Sequence, residues 1–147
     1  MKNRFWLSMV LFTLLIPACG RISTPEEAIQ HGDVVSDYGV VGNIDKMDEF
    51  YNGVQLEKGN EIRIARFTKE GDPIFLYLTR KQGVILLKDD SRKDKNGSHM
   101  TTYTCEKLSK TKEKDSISYQ LLNCQRTDQD ESPMKQDIEI LSIPAAL

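Results

Sequence analysis

Histidine is nearly absent from this chain, with His31 and His99 the only two among 147 residues. No zinc-ligand spacing surrounds either one, and both read as surface residues, not general bases. A Gly-x-Ser-x-Gly elbow and a glycine-rich phosphate cradle are missing too, which removes the ordinary hydrolase and nucleotide-binding signatures. An excess of positive charge is also lacking, because 20 Lys and Arg face 22 Asp and Glu. Nucleic-acid binders need a cationic footprint to displace counterions from phosphate, so that class is excluded. The longest apolar run, Phe5 to Ile16, holds 12 residues. A helix needs about 20 to cross a bilayer, so a permanent span is excluded as well.

That short run is nevertheless the most informative stretch. Lys2 and Arg4 precede it, and Pro17-Ala18-Cys19-Gly20 follows it with small residues at the cut. The pattern resembles a bacterial lipobox. It predicts a lipoprotein signal peptide over residues 1–18, a lipidated tether over 19–24 beginning at Cys19, and one domain over 25–147. The expected location is the extracytoplasmic face of the cell membrane, held through the N-terminal lipid. Removing residues 1–18 takes away two bases and no acid, leaving 129 residues with 18 positive and 22 negative charges. A net charge of −4 gives no electrostatic help at an anionic surface, so attachment rests on acyl chains, each methylene contributing about 0.8 kcal/mol.

With Cys19 assigned to lipid, Cys105 and Cys124 remain, and outside the cytosol two such thiols are expected to pair. Thr101 to Ser109 and Ser116 to Cys124 read as the arms of a β-hairpin around the polar run Lys110 to Asp115. Folding back at Lys114 and Asp115 sets Cys105 opposite Cys124 and Leu108 opposite Leu121. This register predicts both cysteines on one face and both leucines on the other. A disulfide is preferred to a metal or redox pair, and closing a loop of this size stabilises the fold by about 3 kcal/mol.

Thr24-Pro25-Glu26-Glu27 starts a helix by hydroxyl cap, proline and acidic first turn, and Gly32 stops it. Asp33 to Gly42 reads as an irregular connection. Asn43 then caps the main helix, whose stripe Ile44, Met47, Phe50, Tyr51 and Val54 follows a 3.6-residue period. Strands are predicted over Glu61 to Thr68, Pro73 to Arg80, Gly83 to Lys88 and the two hairpin arms, with Asp137 to Ile143 a sixth. Polar loops are expected at 89–98 and 127–136. The predicted fold class is α+β: a short N-terminal helix and one longer helix packed on an antiparallel five- or six-stranded meander.

Chemistry-bearing patterns are few. Asp89 to Gly97 superficially matches a calcium loop, but alignment puts Arg92 at the first ligand position and Tyr103 where a bidentate glutamate belongs, so no metal or cofactor is expected. Adjacent carboxylates such as Asp48-Glu49 and Asp89-Asp90 point in different directions and make no acid and base pair. Phe75, Tyr77 and Tyr103, together with Phe67, are read either as core packing beneath the C-terminal segment, the favoured reading, or as an aromatic interaction surface if their strands are neighbours. Lys110, Lys112 and Lys114 at the hairpin tip are read first as solubilising charges that protect a strand edge, and second as a partner-docking surface. Pro25-Glu26-Glu27-Ala28, His31-Gly32-Asp33-Val34-Val35, Asp48-Glu49-Phe50, Ile62-Arg63-Ile64, Gly71-Asp72-Pro73-Ile74-Phe75 and Tyr103-Thr104-Cys105 with Cys124 occur in that order. As a set they resemble small Gram-positive (Bacillus-type) envelope lipoproteins carrying a domain of unknown function. The resemblance implies a lipid-anchored extracytoplasmic domain and assigns no catalytic residue. The functional expectation is a non-catalytic binding or interaction module for an unknown envelope protein or small ligand. An envelope-associated hydrolase and an inhibitor or immunity-type lipoprotein are the rival classes.

Overall fold

The first element forms where its capping chemistry sits. In a computed structural model describing residues 22–58, 60–97, 99–127 and 134–145, α1 spans Pro25–Gln30. Thr24 Oγ1 accepts the Glu27 N–H at 3.2 Å, while Glu27 Oε2 accepts from the Ser23 N–H and hydroxyl. The Thr24 half of a capping box is therefore regular, while its return half reaches one residue beyond the cap, to Ser23. Gly32 then adopts φ +90°, open to glycine without strain, and turns the chain out of the helix.

The segment after it is not irregular. Val35–Asp37 (β1) and Val40–Gly42 (β2) pair as a hairpin around Tyr38-Gly39, both at positive φ. Two such residues between paired strands make a turn whose twist matches its arms. Asn43 precedes α2 (Ile44–Gln55) in the left-handed region and makes no side-chain cap bond. Its amide donates instead to the carbonyls of Ile29 at 2.9 Å and Asp33 at 2.7 Å, tying the two helix ends together. The predicted stripe of α2 is inward, with Met47, Phe50 and Val54 buried and Ile44 and Tyr51 packed beside them.

The expected α+β architecture does not occur; the molecule is mostly β. Besides β1 and β2 there are β3 (Glu61–Phe67), β4 (Pro73–Lys81), β5 (Val84–Asp90), β6 (Met100–Cys105), β7 (Lys107–Lys112), β8 (Ser116–Arg126) and β9 (Gln136–Pro144). These seven form one curled antiparallel sheet, in which β8 pairs with β6, β7 and β9. Its two outermost strands are nearly joined through β1. Val34 bridges to Ile64 of β3, while Ser36 Oγ donates to the Ser142 carbonyl of β9 at 2.6 Å. The main core lies in the sheet's own concavity, where Ile64, Leu78, Ile85, Leu87, Leu121 and Ile143 meet α2 and Val34. A flat sheet needs a covering layer of helices, whereas this one largely covers itself, so the two short helices only plug its sides.

One strand predicted as continuous breaks at Glu106. The register is as expected, with Leu108 opposite Leu121 and Thr104 opposite Gln125, and Cys105 and Cys124 lie at disulfide distance, S–S 2.09 Å. The expected division of faces fails, however. Both cysteines and both leucines are buried in the same core. Asn123 at φ +53° bends β8 beside the break between β6 and β7, which changes the side-chain phase on both strands without shifting their pairing. Cys19 and residues 128–133 of the second polar loop lie outside the described residues.

Candidate functional site

Phe75 and Tyr77 are ring neighbours, with centroids 6.5 Å apart, but the four aromatic residues of the surface reading do not form one exposed patch. Phe75 and Phe67 are buried beneath α1 in a small second core with Ile22, Ala28, Val35 and Ala65. Tyr103 pairs with Leu87 and packs on the main core, across the sheet from Phe75. Tyr77 is the most exposed of the four, at 36%, and Tyr103 is half-buried. The lysines also separate. Lys110 Nζ contacts Asp48 Oδ1 at 2.5 Å, and the Tyr119 hydroxyl donates to the same oxygen at 2.6 Å. Those two hydrogen bonds hold the Asp48 carboxyl below its ordinary range, and the Asp48 contact holds the Lys110 ammonium above its own. This knot fastens α2 to β7 and β8. Lys112 is exposed at the far end of β7, and Lys114 lies in the turn.

A different set of residues surrounds a cleft of about 660 Å³. It lies where the end of α1, one flank of α2 and the start of β3 meet, because Gly32 and Asn60 both bring connecting chain to the sheet edge. Phe50, Ile62 and Leu78 give it an apolar floor, and Lys46, Glu49, Glu61 and Tyr77 stand along its rim. Asp33 is 2% exposed and is paired by two bonds from Arg63, Nε to Oδ1 at 2.5 Å and Nη2 to Oδ2 at 3.0 Å. A carboxylate buried this deeply requires such a partner. The pairing pushes the Arg63 pKa further up, the bond to Asp33 being the main cause. Arg63 also lies over Phe75 at 5.1 Å and Tyr77 at 5.9 Å from the ring centroids, so its plane is fixed from two sides. Lys46 Nζ donates to the Gly32 carbonyl at 2.9 Å.

One residue that lines the cleft carries a polar atom with no such commitment. Asn60 Oδ1 is buried without a hydrogen-bond partner among the described residues. Its amide lies against Gly53 of α2, where an added Cβ would come within 2.3 Å of Asn60 Nδ2. The glycine that weakens the helix thus makes room for the asparagine. A second, smaller hollow on the outer sheet face shares Tyr77 and Thr79 with the cleft and is lined by Leu86, Lys88 and Met100.

Of the residues lining this cleft, Tyr77 was among those expected in an interaction surface, whereas Asp33 and Arg63 entered the sequence reading only within the family-resembling motifs and the cleft itself was not foreseen. Arg63 carried a usable signal, since it interrupts Ile62 and Ile64 with a charge on the outward phase of a strand. Asp33, just before two buried valines, carried another. No cluster of three or more metal-ligating side chains occurs among the described residues, and no described helix is long and apolar enough to cross a membrane.

No curated protein and no solved structure matches the chain. Residues 31–120, more than half of its length and including every residue that lines the cleft, match the Domain of unknown function (DUF4362), and the chain belongs to that family.

Proposed function

We propose that this is a lipid-anchored extracytoplasmic protein whose folded part is a non-catalytic binding module, with the cleft beside β3 as its binding site. The anchor is argued from Lys2 to Gly20, where a short apolar run ends in Pro17-Ala18-Cys19. The observation that carries the binding role is the unpartnered Asn60 Oδ1. An acceptor buried without a donor costs about 1–3 kcal/mol. A ligand N–H or O–H recovers that energy when the Asn60 amide turns from Gly53 toward the cleft, which gives the site an affinity its surroundings do not satisfy internally. The ionisable neighbours suit recognition more than proton transfer. Asp33 and Arg63 neutralise each other, and Lys46 is engaged by a backbone carbonyl.

Mass spectrometry of the protein extracted intact from its membrane tests both halves of this reading. The expected result is acylation at Cys19 and a photocrosslinked ligand when a diazirine side chain replaces Thr79. Crosslinking should weaken in Asn60→Ala with the circular dichroism unchanged. An unprocessed chain with a free Cys19 thiol overturns the anchor. Equal labelling of wild type and Asn60→Ala overturns the site.

A further inference from the structure

A strand's backbone groups alternate between its two neighbours, and in β3 the even-numbered residues face β4. Ile62 pairs with Leu78 and Ile64 with Leu76, and the Asn60 carbonyl accepts from the Arg80 N–H at 3.0 Å. The odd-numbered groups face the open edge. Further along, that edge is covered: Val34 donates to the Arg63 carbonyl at 3.0 Å and accepts from the Ala65 N–H at 2.9 Å, and Asp37 Oδ2 accepts from the Phe67 N–H at 2.7 Å. The cover stops abruptly. The Gly32 N–H turns back to Ile29 and its carbonyl is taken by Lys46, so the chain leaves the edge before reaching Glu61. No described residue engages the Arg63 N–H or either backbone group of Glu61. Both residues line the cleft, beside Asn60 Oδ1.

Folded proteins normally cover or blunt such an edge, because unpaired strand groups are a template for another chain. Here a three-residue stretch is left bare at the floor of a cleft. We infer that the cleft takes an extended basic peptide, which adds to the Glu61–Arg63 edge as a short strand. Following the pattern Val34 already sets, one peptide residue donates its N–H to the Glu61 carbonyl and accepts the Arg63 N–H. Side chains alternate along such a strand. One apolar side chain meets Phe50, Ile62 and Leu78, and its neighbours meet the rim. Basic side chains fit that rim because three carboxylates, Asp33, Glu49 and Glu61, face two cations, Lys46 and Arg63, and the exposed Glu49 and Glu61 are the acids outside the Asp33–Arg63 pair.

This inference rests on the cleft being a binding site and is tested separately from it. The probes are a short peptide of alternating lysine and valine, its glutamate counterpart, and the lysine peptide methylated on alternate backbone nitrogens. Each is titrated into the full chain in detergent while amide hydrogen exchange is followed. The lysine peptide should slow exchange at Arg63 and Glu61. The glutamate peptide should bind at least about tenfold more weakly at low salt, and the methylated one should lose binding. Glu49→Lys with Glu61→Lys, both surface changes, should weaken the lysine peptide by about tenfold while leaving unfolding unchanged. No binding of the lysine peptide at about 1 mM overturns the inference. Binding with unprotected Arg63 and Glu61 amides overturns strand addition, yet leaves the cleft as a site for another ligand. Indifference to both charge reversals overturns the basic preference.

Discussion

Helix α2 meets the sheet along two flanks, and the two junctions are finished in opposite ways. Toward β7 and β8, Asp48, Lys110 and Tyr119 satisfy one another, and Gln55 Nε2 donates to the Leu108 carbonyl at 3.3 Å. Toward β3, Asn60 Oδ1 and the edge groups of Glu61 and Arg63 are left without partners among the described residues. The same helix therefore closes one side of the curled sheet and leaves the other open. Saturated polar groups at a junction hold a fold together, whereas unsatisfied ones beside a cleft are where free energy is available to a ligand.

The sharpest way to break this comparison is to remove the one saturated pair on the open side. Arg63→Met leaves the Asp33 carboxylate buried without its guanidinium, and loss of one partner of a buried pair costs about 3–5 kcal/mol. Urea unfolding should show that loss. A loss below about 1 kcal/mol would mean that the pair does not hold the cleft wall. The closed side has its own largest element in the cystine. Reducing Cys105–Cys124, which closes a separation of 19 residues, should lower stability by about 3 kcal/mol in the chain-entropy account. The polar knot comes next. Tyr119→Phe removes one hydrogen bond to a charged oxygen and should cost about 1.5 kcal/mol. Asp48 also gives this flank a pH signature. Its folded pKa lies below its unfolded value, so its contribution is present above the ordinary aspartate range and is lost as pH falls through the folded pKa. In Asp48→Asn that acid-dependent loss should shrink.

The closed side was largely legible in sequence, and the open side was not. Leu108 opposite Leu121 followed from counting residues about a polar turn, and the α2 stripe followed from its period, because both depend on local geometry. The β1–β2 hairpin was also local, since Asp37-Tyr38-Gly39-Val40 is a two-residue turn between valine pairs, but tyrosine at positive φ hid it. The cysteine and leucine faces were misassigned because a bend shared by two strands leaves no trace in either one's alternation. The fold class went wrong for a related reason: whether a sheet lies flat or curls onto itself depends on contacts such as Ser36 with Ser142, which are 106 residues apart. The cleft is legible only in three dimensions. Gly53, Asn60 and Asp33 gain their meaning from one another, and nothing in their spacing announces it.

The smallest effect comes from a group that belongs to neither junction. Asp89 points into the concave side of the sheet with Leu76 and Thr101 as cross-strand neighbours and is half-buried. Burial raises its pKa, and the attraction of Arg66 opposes that only in part. The folded state therefore holds the Asp89 proton more tightly than the unfolded chain does. Ionised Asp89 works against folding above the folded pKa, and the penalty fades as pH falls through it. Asparagine carries no such penalty, so Asp89→Asn should be more stable near neutrality, by less than about 1 kcal/mol because solvent still screens the group. The gain should vanish below about pH 3.5, where the acid is protonated in both states. Paired urea titrations at the two pH values measure the difference. A gain that persists in acid would trace the effect to packing, and Asp89 would then join the saturated side of the comparison, where shape and not charge sets the energy.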